Sequence, residues 1–356
     1  MSRFLSPRLS ALDAYTPGEQ PQDRQYVKLN TNESPYPPSS QVLAALNSSA
    51  IADLRLYPDP DTRDLSAAIA RRFQVDPDWV YTGNGSDDIL NFTFMAFCDQ
   101  EKGAAFPAIS YGFYQVYGRL YGVDCLQIPL QPDFTIDPSD YYGLGRTIII
   151  ANPNAPTGLA LSRAQVEQIV RRNARDVVLI DEAYVDFGAE SCVELTRRYP
   201  NLIVAQTFSK SRSLAGGRLG FAIAQPELIA DLNKVKFSTN PYCINRLTCL
   251  AGIAAIQDEH YFQTCCGRVI QTRQWTIEQL TRLGFQTLPS RANFIFTHKP
   301  GVSGKELYLA LKRQGILVRH FDKDPIRDWL RITIGSPQDM QALIDAILPA
   351  IKEVTP

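Results

Sequence analysis

Short apolar segments recur through the first 240 residues of this 356-residue chain, separated by stretches long enough for a helix. Several are β-branched and apolar throughout, which is typical of strands covered on both faces of a parallel sheet. The pattern predicts strands over 79–82, 103–106, 124–128, 147–151, 177–180 and 202–205, with helices such as 62–72 and 87–97 between them. Strands joined through helices favour right-handed crossovers, so we predict an open α/β sheet, mostly parallel and flanked by helices.

The chain is long for a single hydrophobic core, so we expect two subdomains around a shared cleft. From about residue 240 the pattern changes to a long helical segment over 244–283, short strands and a closing helix, which together indicate a smaller α+β domain. Residues 1–28 are polar and irregular. We therefore predict an N-terminal arm over 1–28, a large domain over 29–240 and a small domain over 241–356.

The overall charge disfavours nucleic acid and anionic membranes as partners. There are 36 basic and 37 acidic residues, a formal net charge of -1, and no apolar run approaches the length of a spanning helix. The seven cysteines form no CxxC pair, and with only three histidines no cluster has metal-ligand spacing. We expect a cytoplasmic protein with reduced thiols, no signal peptide and no metal.

The segment around Lys210 carries the strongest chemical signal. Thr207 and Ser209 precede this lysine closely, and Arg218 follows it after a glycine-containing stretch. An amine can hold an aldehyde as a Schiff base, while hydroxyls and a guanidinium can bind a phosphate. These residues predict a covalent site for a phosphorylated aldehyde, although a lysine beside serines is by itself a common pattern.

A glycine-containing loop follows the predicted strand 79–82 and opens the next helix. Its residues Gly85, Ser86 and Asp87 leave backbone N–H groups open to an anion at a helix N-terminus. The structural alternative is a glycine turn with Ser86 or Asp87 as the N-cap. A dinucleotide-binding loop fits less well, because Asp88 stands where that motif has its third glycine.

Three further segments offer groups for a planar, charged ligand. Asp181 ends the strand 177–180, where a carboxylate points into the ligand crevice of a parallel sheet, and Tyr184 follows it. Asn154 lies in a turn with two prolines, and Tyr111 offers an aromatic face. A helix cap, a plain loop and ordinary packing are the respective structural alternatives.

In this order the segments resemble the fold-type I pyridoxal-phosphate enzymes, aminotransferase classes I and II, over nearly the whole chain from Leu29 to Gly335. Within that superfamily the resemblance is closest to the histidinol-phosphate aminotransferase family. It rests additionally on the segments 29–33, 56–59, 181–187 and 329–335.

The resemblance implies pyridoxal 5'-phosphate as cofactor and assigns a role to each matching residue. Lys210 would form the Schiff base, Asp181 would pair with the ring nitrogen, and Tyr184 would lie at the phenolic oxygen. Tyr111 would stack on the ring. The remaining cofactor-binding residues would be Gly85, Ser86, Asp87, Asn154, Thr207, Ser209, Arg218 and, from the neighbouring subunit of a homodimer, Tyr57.

The resemblance also implies the reaction and the substrate-binding residues. Transamination of histidinol phosphate with 2-oxoglutarate, a step of histidine biosynthesis, is the expected activity. Tyr15 and Arg319 match positions that bind the substrate phosphate, and Arg331 matches the arginine that binds a carboxylate. Asn32, Glu33 and Asn293 complete the expected substrate-binding set.

One departure from the family pattern concerns the phenolic oxygen. Ala155 stands where the family usually has an asparagine, so either Asn154 takes over or Tyr184 acts alone; Leu56 also replaces a common arginine. Three other functions stay open. They are a threonine-phosphate decarboxylase, an aromatic amino-acid aminotransferase and a catalytically silent relative, the last disfavoured by the presence of Lys210, Asp181 and Arg218.

Overall fold

The computed structural model describes residues 4–6, 9, 12–13 and 15–354. Its strands are β1 (Val27–Lys28), β2 (Val80–Gly83), β3 (Ala104–Pro107), β4 (Cys125–Ile128), β5 (Thr147–Ala151), β6 (Val178–Asp181), β7 (Leu202–Thr207), β8 (Gly220–Ile223), β9 (Gln286–Thr287), β10 (Phe294–His298), β11 (Ile316–Leu317), β12 (Arg319–His320) and β13 (Leu330–Thr333). Its helices are α1 (Ser40–Ala45), α2 (Ser48–Ala52), α3 (Arg63–Phe73), α4 (Ser86–Phe97), α5 (Phe113–Tyr121), α6 (Arg163–Arg172), α7 (Val193–Thr196), α8 (Pro226–Thr239), α9 (Arg246–Gln257), α10 (Glu259–Arg282), α11 (Gly304–Arg313) and α12 (Pro337–Val354).

Seven strands form the large sheet in the order β2-β8-β7-β6-β5-β3-β4. Only β8 runs antiparallel to its neighbours in this sheet, so the expected mostly parallel α/β fold is confirmed. Every residue of β5, β6 and β7 is buried, as their continuous apolar character predicts for strands covered on both faces. The strand β8 was not predicted, since four residues beginning with glycine give little periodic signal.

The predicted helix over 244–283 is wrong as a single element. Asp258 leaves helical geometry with φ -86° and ψ 68°, so α9 ends there. The side chain of the same residue accepts a hydrogen bond from the backbone N–H of Tyr261 and thereby caps α10. An aspartate at such a position satisfies an N-terminal N–H group that the helix itself leaves free.

The second sheet is small and antiparallel, in the order β12-β13-β10-β9, and β1 pairs in parallel with β11 beside it. Its apolar face shares a core with α10, α11 and α12, and Leu29 belongs to that core. Helix α9 instead packs with α1 and α3 on the large sheet, because its alanines and Gly252 allow close approach to Leu65 and Leu219. The cores therefore group α9 with the large domain, on the other side of the predicted boundary at residue 240.

The topology gathers functional groups at one edge. Strands β2, β3, β5, β6 and β7 run in the same direction, so Gly83, Asp181 and Thr207 end their strands at the same edge of the large sheet. Residues of the small sheet face this edge across a cleft. Within the described part of the chain, no helix has the length and apolar character needed to cross a bilayer, and no three acidic, His or Cys side chains cluster as a metal site.

Candidate active site

A cavity of about 1110 Å³ lies at the carboxyl edge of the large sheet, beneath the small domain. Parallel sheets bind ligands at this edge, where the loops after the strands leave a crevice. Nearly every residue that the sequence predicts for the site lines this cavity. The exceptions are Gly85, Asn154, Asn293 and Tyr57.

Lys210 lies in the cavity wall just after β7. Its Nζ donates to the carbonyl oxygen of Thr31 at 3.3 Å and lies 5.8 Å from the ring centroid of Tyr184. Burial lowers the pKa of this amine to about 8, the positive charge of Arg331 adds to the shift, and the carboxylate of Glu33 opposes it. About a tenth of Lys210 is therefore uncharged and nucleophilic at pH 7, far more than for a lysine with its ordinary pKa.

Asp181 is buried at the end of β6 without a cationic partner among the salt bridges of the described residues. It accepts hydrogen bonds from the hydroxyl of Tyr114 at 2.9 Å and from the backbone N–H of Ala183 at 3.2 Å. Burial raises the pKa of this carboxyl to about 6, although both hydrogen bonds oppose the shift. A buried carboxylate of this kind is suited to a cationic ring nitrogen.

One end of the cavity is formed by the N-terminus of α4 and by Arg218. Gly85 is the N-cap of α4 with φ +83° and provides no capping side chain, so the first N–H groups remain available to an anion. A Cβ on Gly85 would lie 2.7 Å from a guanidinium nitrogen of Arg218, so glycine permits the close approach of that side chain. These groups, together with the hydroxyls of Thr207 and Ser209, fit a phosphorylated cofactor.

Arg218 is held by Asp87. Its Nη2 donates to the Asp87 carboxylate at 2.8 Å, and the Tyr111 hydroxyl donates to the other oxygen of that carboxylate at 2.9 Å. Burial, followed by the charge of Asp87, raises the pKa of Tyr111. Asp87 therefore orients both an aromatic ring and a cation at the edge of the cavity.

Asn154 is turned away from the cavity, whereas Ala155 lines it. The side-chain oxygen of Asn154 accepts from Ser110 Oγ at 2.7 Å, and its nitrogen donates to the carbonyl of Ile109 at 3.0 Å and to Thr157 Oγ1 at 3.2 Å. All of its polar atoms are thus used within the neighbouring loops. The structure gives Asn154 a role in holding the loop, and it does not bring the amide to the ligand space.

Arg331 and Arg319 bring two guanidinium groups to the other end of the cavity. Arg331 donates from Nη2 to the carbonyl of Asn30 at 2.8 Å, and its buried Nε has no hydrogen-bond partner among the described residues. Arg319 donates to the carbonyls of Thr16 and Pro17 at 3.1 and 3.2 Å. Neither arginine takes part in a salt bridge within the described residues, so their positive charge is open to an anionic ligand.

Tyr15 closes the cavity beside these arginines. Its ring packs against Phe113 with centroids 4.3 Å apart, and burial raises the pKa of its hydroxyl against the opposing charges of Arg319 and Arg331. Glu33 lines the cavity and accepts from Lys28 and Thr31. Asn293 lies behind the wall, where its amide donates to the carbonyl of Asn32 at 3.0 Å.

Tyr57 lies outside the cavity and is 79% exposed. It stacks on Tyr242 with ring centroids 4.6 Å apart. Other exposed apolar side chains come from the same part of the chain, namely Leu43, Ile51, Leu54 and Leu56. Within one chain, Tyr57 therefore completes no ligand site.

The sequence-based prediction missed several residues at the site, and two of them hydrogen-bond to predicted side chains. Tyr114 donates to Asp181, but it is one of 16 tyrosines, and only its position three residues after Tyr111 could have indicated it. Thr333 contacts Asn32 across 301 positions of sequence, a pairing for which no local pattern exists.

The sequence matches a known protein family and individual relatives over nearly its whole length. Residues 24–347 match the family described as aminotransferase class I and II. A histidinol-phosphate aminotransferase of Brachyspira hyodysenteriae is 50% identical over 353 residues, covering 99% of this chain and 100% of the relative. One of Acinetobacter baylyi is 50% identical over 348 residues, covering 97% and 96%.

Solved structures show the same fold. The histidinol-phosphate aminotransferase of Sinorhizobium meliloti, crystallised in complex with pyridoxal-5'-phosphate, has a TM-score of 0.90 at 23% identity and covers 99% of both chains. The enzyme of Clostridium acetobutylicum has a TM-score of 0.84 at 22% identity, covering 92% of this chain and 99% of its own.

Proposed function

Because the chain belongs to the class I and II aminotransferases and, within them, to the histidinol-phosphate aminotransferase family, we propose that it exchanges an amino group between histidinol phosphate and 2-oxoglutarate. This reaction is a step of histidine biosynthesis. The observation that carries the proposal is one cavity that has Lys210 and Asp181 at the large sheet and two unneutralised guanidinium groups opposite them.

The cofactor of this enzyme class, pyridoxal 5'-phosphate, supplies an aldehyde and an electron-accepting ring when it is bound. Lys210 is proposed to bind the aldehyde carbon, which its pKa of about 8 supports. Asp181 would hold a proton on the ring nitrogen, and Tyr111 would contact the ring face. The N-terminus of α4, Thr207, Ser209 and Arg218 would bind the phosphate, which the space at Gly85 supports.

Lys210 has a second proposed task once the substrate amine replaces it. Its free amine would then take the proton from the substrate Cα, as a general base, and return it, as a general acid, at the carbon that had been the cofactor's aldehyde carbon. The positive charge of Arg331 supports this task, because it holds down the pKa of the amine.

Substrate recognition is assigned to Tyr15, Arg319 and Arg331. Histidinol phosphate carries a phosphate and no carboxylate, whereas glutamate carries carboxylates and no phosphate. Guanidinium groups bind both kinds of anion in a bidentate manner, so one cationic pocket serves the two substrates in turn. The partnerless Nε of Arg331 supports this assignment, since a bound oxyanion would give it an acceptor.

A homodimer is proposed as the working unit, with Tyr57 reaching the cofactor phosphate of the neighbouring subunit. The exposed apolar side chains of residues 43–56, in the segment that leads to Tyr57, support it, because exposed apolar surface beyond isolated residues is typical of a surface covered by a partner. A cytoplasmic location is proposed as well, since all seven cysteines are free thiols.

A half-reaction screen tests the function. Purified protein loaded with pyridoxal phosphate is mixed with histidinol phosphate, glutamate, an aromatic amino acid or threonine phosphate, and the visible absorption band is followed together with product formation. We expect histidinol phosphate and glutamate to convert the cofactor to its aminated form. Release of carbon dioxide from threonine phosphate, without transamination of histidinol phosphate, would replace the proposed activity by the decarboxylase.

A further inference from the structure

Three polar side chains from distant parts of the sequence form a chain of hydrogen bonds that ends at the cavity. The backbone N–H of Asn32 donates to Thr333 Oγ1 at 2.9 Å, and Thr333 Oγ1 donates to Asn32 Oδ1 at 3.0 Å. Asn32 Nδ2 in turn donates to the hydroxyl oxygen of Tyr184 at 3.0 Å. Thr333 lies at the end of β13 in the small domain, whereas Tyr184 follows β6 in the large one.

The donor and the acceptor of each of these hydrogen bonds follow from the neighbouring groups. Because Thr333 Oγ1 already accepts from a backbone N–H, its own proton is available to an acceptor, and within residues 15–354 that acceptor is Asn32 Oδ1. A reversed amide would place two N–H donors against Thr333 and leave its buried hydroxyl proton without an acceptor. The hydroxyl of Thr333 therefore keeps the NH2 group of Asn32 directed at Tyr184.

The hydroxyl of Tyr184 must consequently donate its hydrogen bond to an acceptor other than Asn32. Its oxygen accepts from Asn32, and within the described residues its proton has no protein acceptor. Tyr184 lines the cavity, where Lys210 lies near its ring. The free direction for the proton is the ligand space.

The backbone of Asn32 supports this arrangement. Asn32 is 1% exposed and has φ +56°, a left-handed conformation that asparagine tolerates better than most residues. Its carbonyl oxygen accepts from the amide of Asn293, so both its backbone and its side chain are anchored. Asn32 thus has little freedom to reorient as long as Thr333 keeps its hydroxyl.

We propose that Thr333, acting through Asn32, is a positioning residue that holds the Tyr184 hydroxyl as a proton donor to the ligand in the cavity. The inference rests on the proposed role of Tyr184 at the phenolic oxygen of the cofactor. Ala155 at the cavity wall has no polar side-chain atom, so it adds no donor there. The availability of the Tyr184 proton to the ligand then depends on the hydroxyl of Thr333, which lies in the other domain.

A spectroscopic titration measures this dependence without turnover. The phenolic oxygen shares a proton with the imine nitrogen contributed by Lys210, and a donor from Tyr184 stabilises the anionic oxygen left when that proton is lost. Losing the donor therefore raises the pKa at which the visible band changes. Tyr184→Phe should raise this pKa by about one unit.

Thr333→Val removes the hydroxyl and keeps the shape of the side chain. The amide of Asn32 can then reverse and accept the Tyr184 proton, so the pKa of the visible band should rise in the same direction as in Tyr184→Phe, by a smaller amount. Thr333→Ser keeps the hydroxyl and should titrate as the wild type. Thermal unfolding of each cofactor-free variant checks that the fold is retained.

Three results would overturn the inference. The first is a pKa of the visible band that is unchanged in Thr333→Val but raised in Tyr184→Phe. This result would remove the role of Thr333 alone and would leave the proposed function standing. The second is an equal shift in Thr333→Ser and Thr333→Val, which makes the effect one of packing. The third is no shift in Tyr184→Phe, which removes Tyr184 from the phenolic oxygen. If Thr333→Val does not fold, Thr333→Ala takes its place: it also lacks the hydroxyl, and an unchanged pKa would contradict the inference.

Discussion

On the side of the cavity formed by the large sheet, charged groups hydrogen-bond to other polar side chains, whereas the two arginines on the side formed by the small domain donate hydrogen bonds, among the described residues, only to backbone carbonyls. Asp87 holds Arg218, and Tyr114 holds Asp181. Opposite them, Arg331 contacts the carbonyl of Asn30, and Arg319 contacts those of Thr16 and Pro17. We call these the sheet side and the small-domain side.

The difference has a functional meaning. Groups on the sheet side follow strands buried on both faces, which gives them fixed positions for a permanently bound cofactor. Groups on the small-domain side keep unneutralised charge, which suits anions that must bind and leave in each cycle. We therefore expect substitutions on the sheet side to reduce turnover or cofactor retention, and substitutions on the small-domain side to raise KM.

The largest expected effect is that of Lys210→Ala. Removal of both the imine-forming amine and the proposed general base should lower kcat by at least about 10⁴-fold. Borohydride should attach the cofactor to wild-type protein and not to this variant, which peptide mapping would detect. Lys323→Ala is the matched control, because Lys323 also lines the cavity, where it donates to a backbone carbonyl. Turnover retained by Lys210→Ala would remove the assignment.

Asp181→Asn should come next. Loss of the buried negative charge removes the proposed partner of the ring nitrogen, and we expect kcat to fall by about 10²–10³-fold, as for breaking a buried ion pair. Tyr114→Phe should cause a smaller loss, since it removes one hydrogen bond and leaves the charge. Steady-state kinetics on both variants would show whether the losses fall in this order; an equal loss would mean that the hydrogen bond from Tyr114, and not the charge of Asp181, carries the effect.

Arg331→Ala tests the small-domain side. We expect KM to rise by about 50-fold for both glutamate and histidinol phosphate, with a smaller change in kcat, because a charged hydrogen-bond donor is lost from binding. Arg327→Ala is the control from the same domain, since that arginine is exposed and pairs with Asp324. A fall in kcat with unchanged KM for both substrates would contradict the division into two sides.

The cofactor-free protein should reveal the cost of burying Lys210. Its pKa is about 8 in the folded chain and 10.5 ordinarily, so the unfolded state binds more protons between these pH values. The penalty is therefore present in full below about pH 8 and fades as the pH rises towards 10.5. Lys210→Met should be more stable than wild type by up to about 3 kcal/mol at pH 7, with the gap closing at high pH. Denaturant unfolding at several pH values measures it, and a constant gap would show that charge is not its origin.

Tyr57→Phe should have the smallest effect, a few-fold weaker retention of the cofactor, because one hydroxyl contact to the phosphate would be lost. Equilibrium dialysis measures the retention, and Tyr242→Phe, at the other ring of the stacked pair, is the control. Sedimentation of the wild type should show a dimer. A monomer with full activity would end the proposed sharing of residues between subunits.

The local sequence pattern was sufficient to predict where the central strands end and which residues lie at those ends. The predicted strand over 147–151 has the observed bounds, and those over 177–180 and 202–205 differ by one or two residues. Lys210, Asp181 and the loop at Gly85 follow such strands, so predicting the sheet also predicts the edge at which they meet. The break at Asp258 was missed because an apolar pattern continues on both sides of it.

What the sequence by itself determined is therefore the sheet, its reactive edge and the chemical types of the residues there. The tertiary structure decided how these residues are oriented: that Asn154 turns into its loop, that Tyr114 reaches Asp181, and that Thr333 directs Asn32. The physical reason is that a side chain's hydrogen-bonding direction depends on partners up to about 300 positions away in the chain, as for Asn32 and Thr333. Such partners meet only when the two domains close around one cavity, and no local periodicity encodes their meeting.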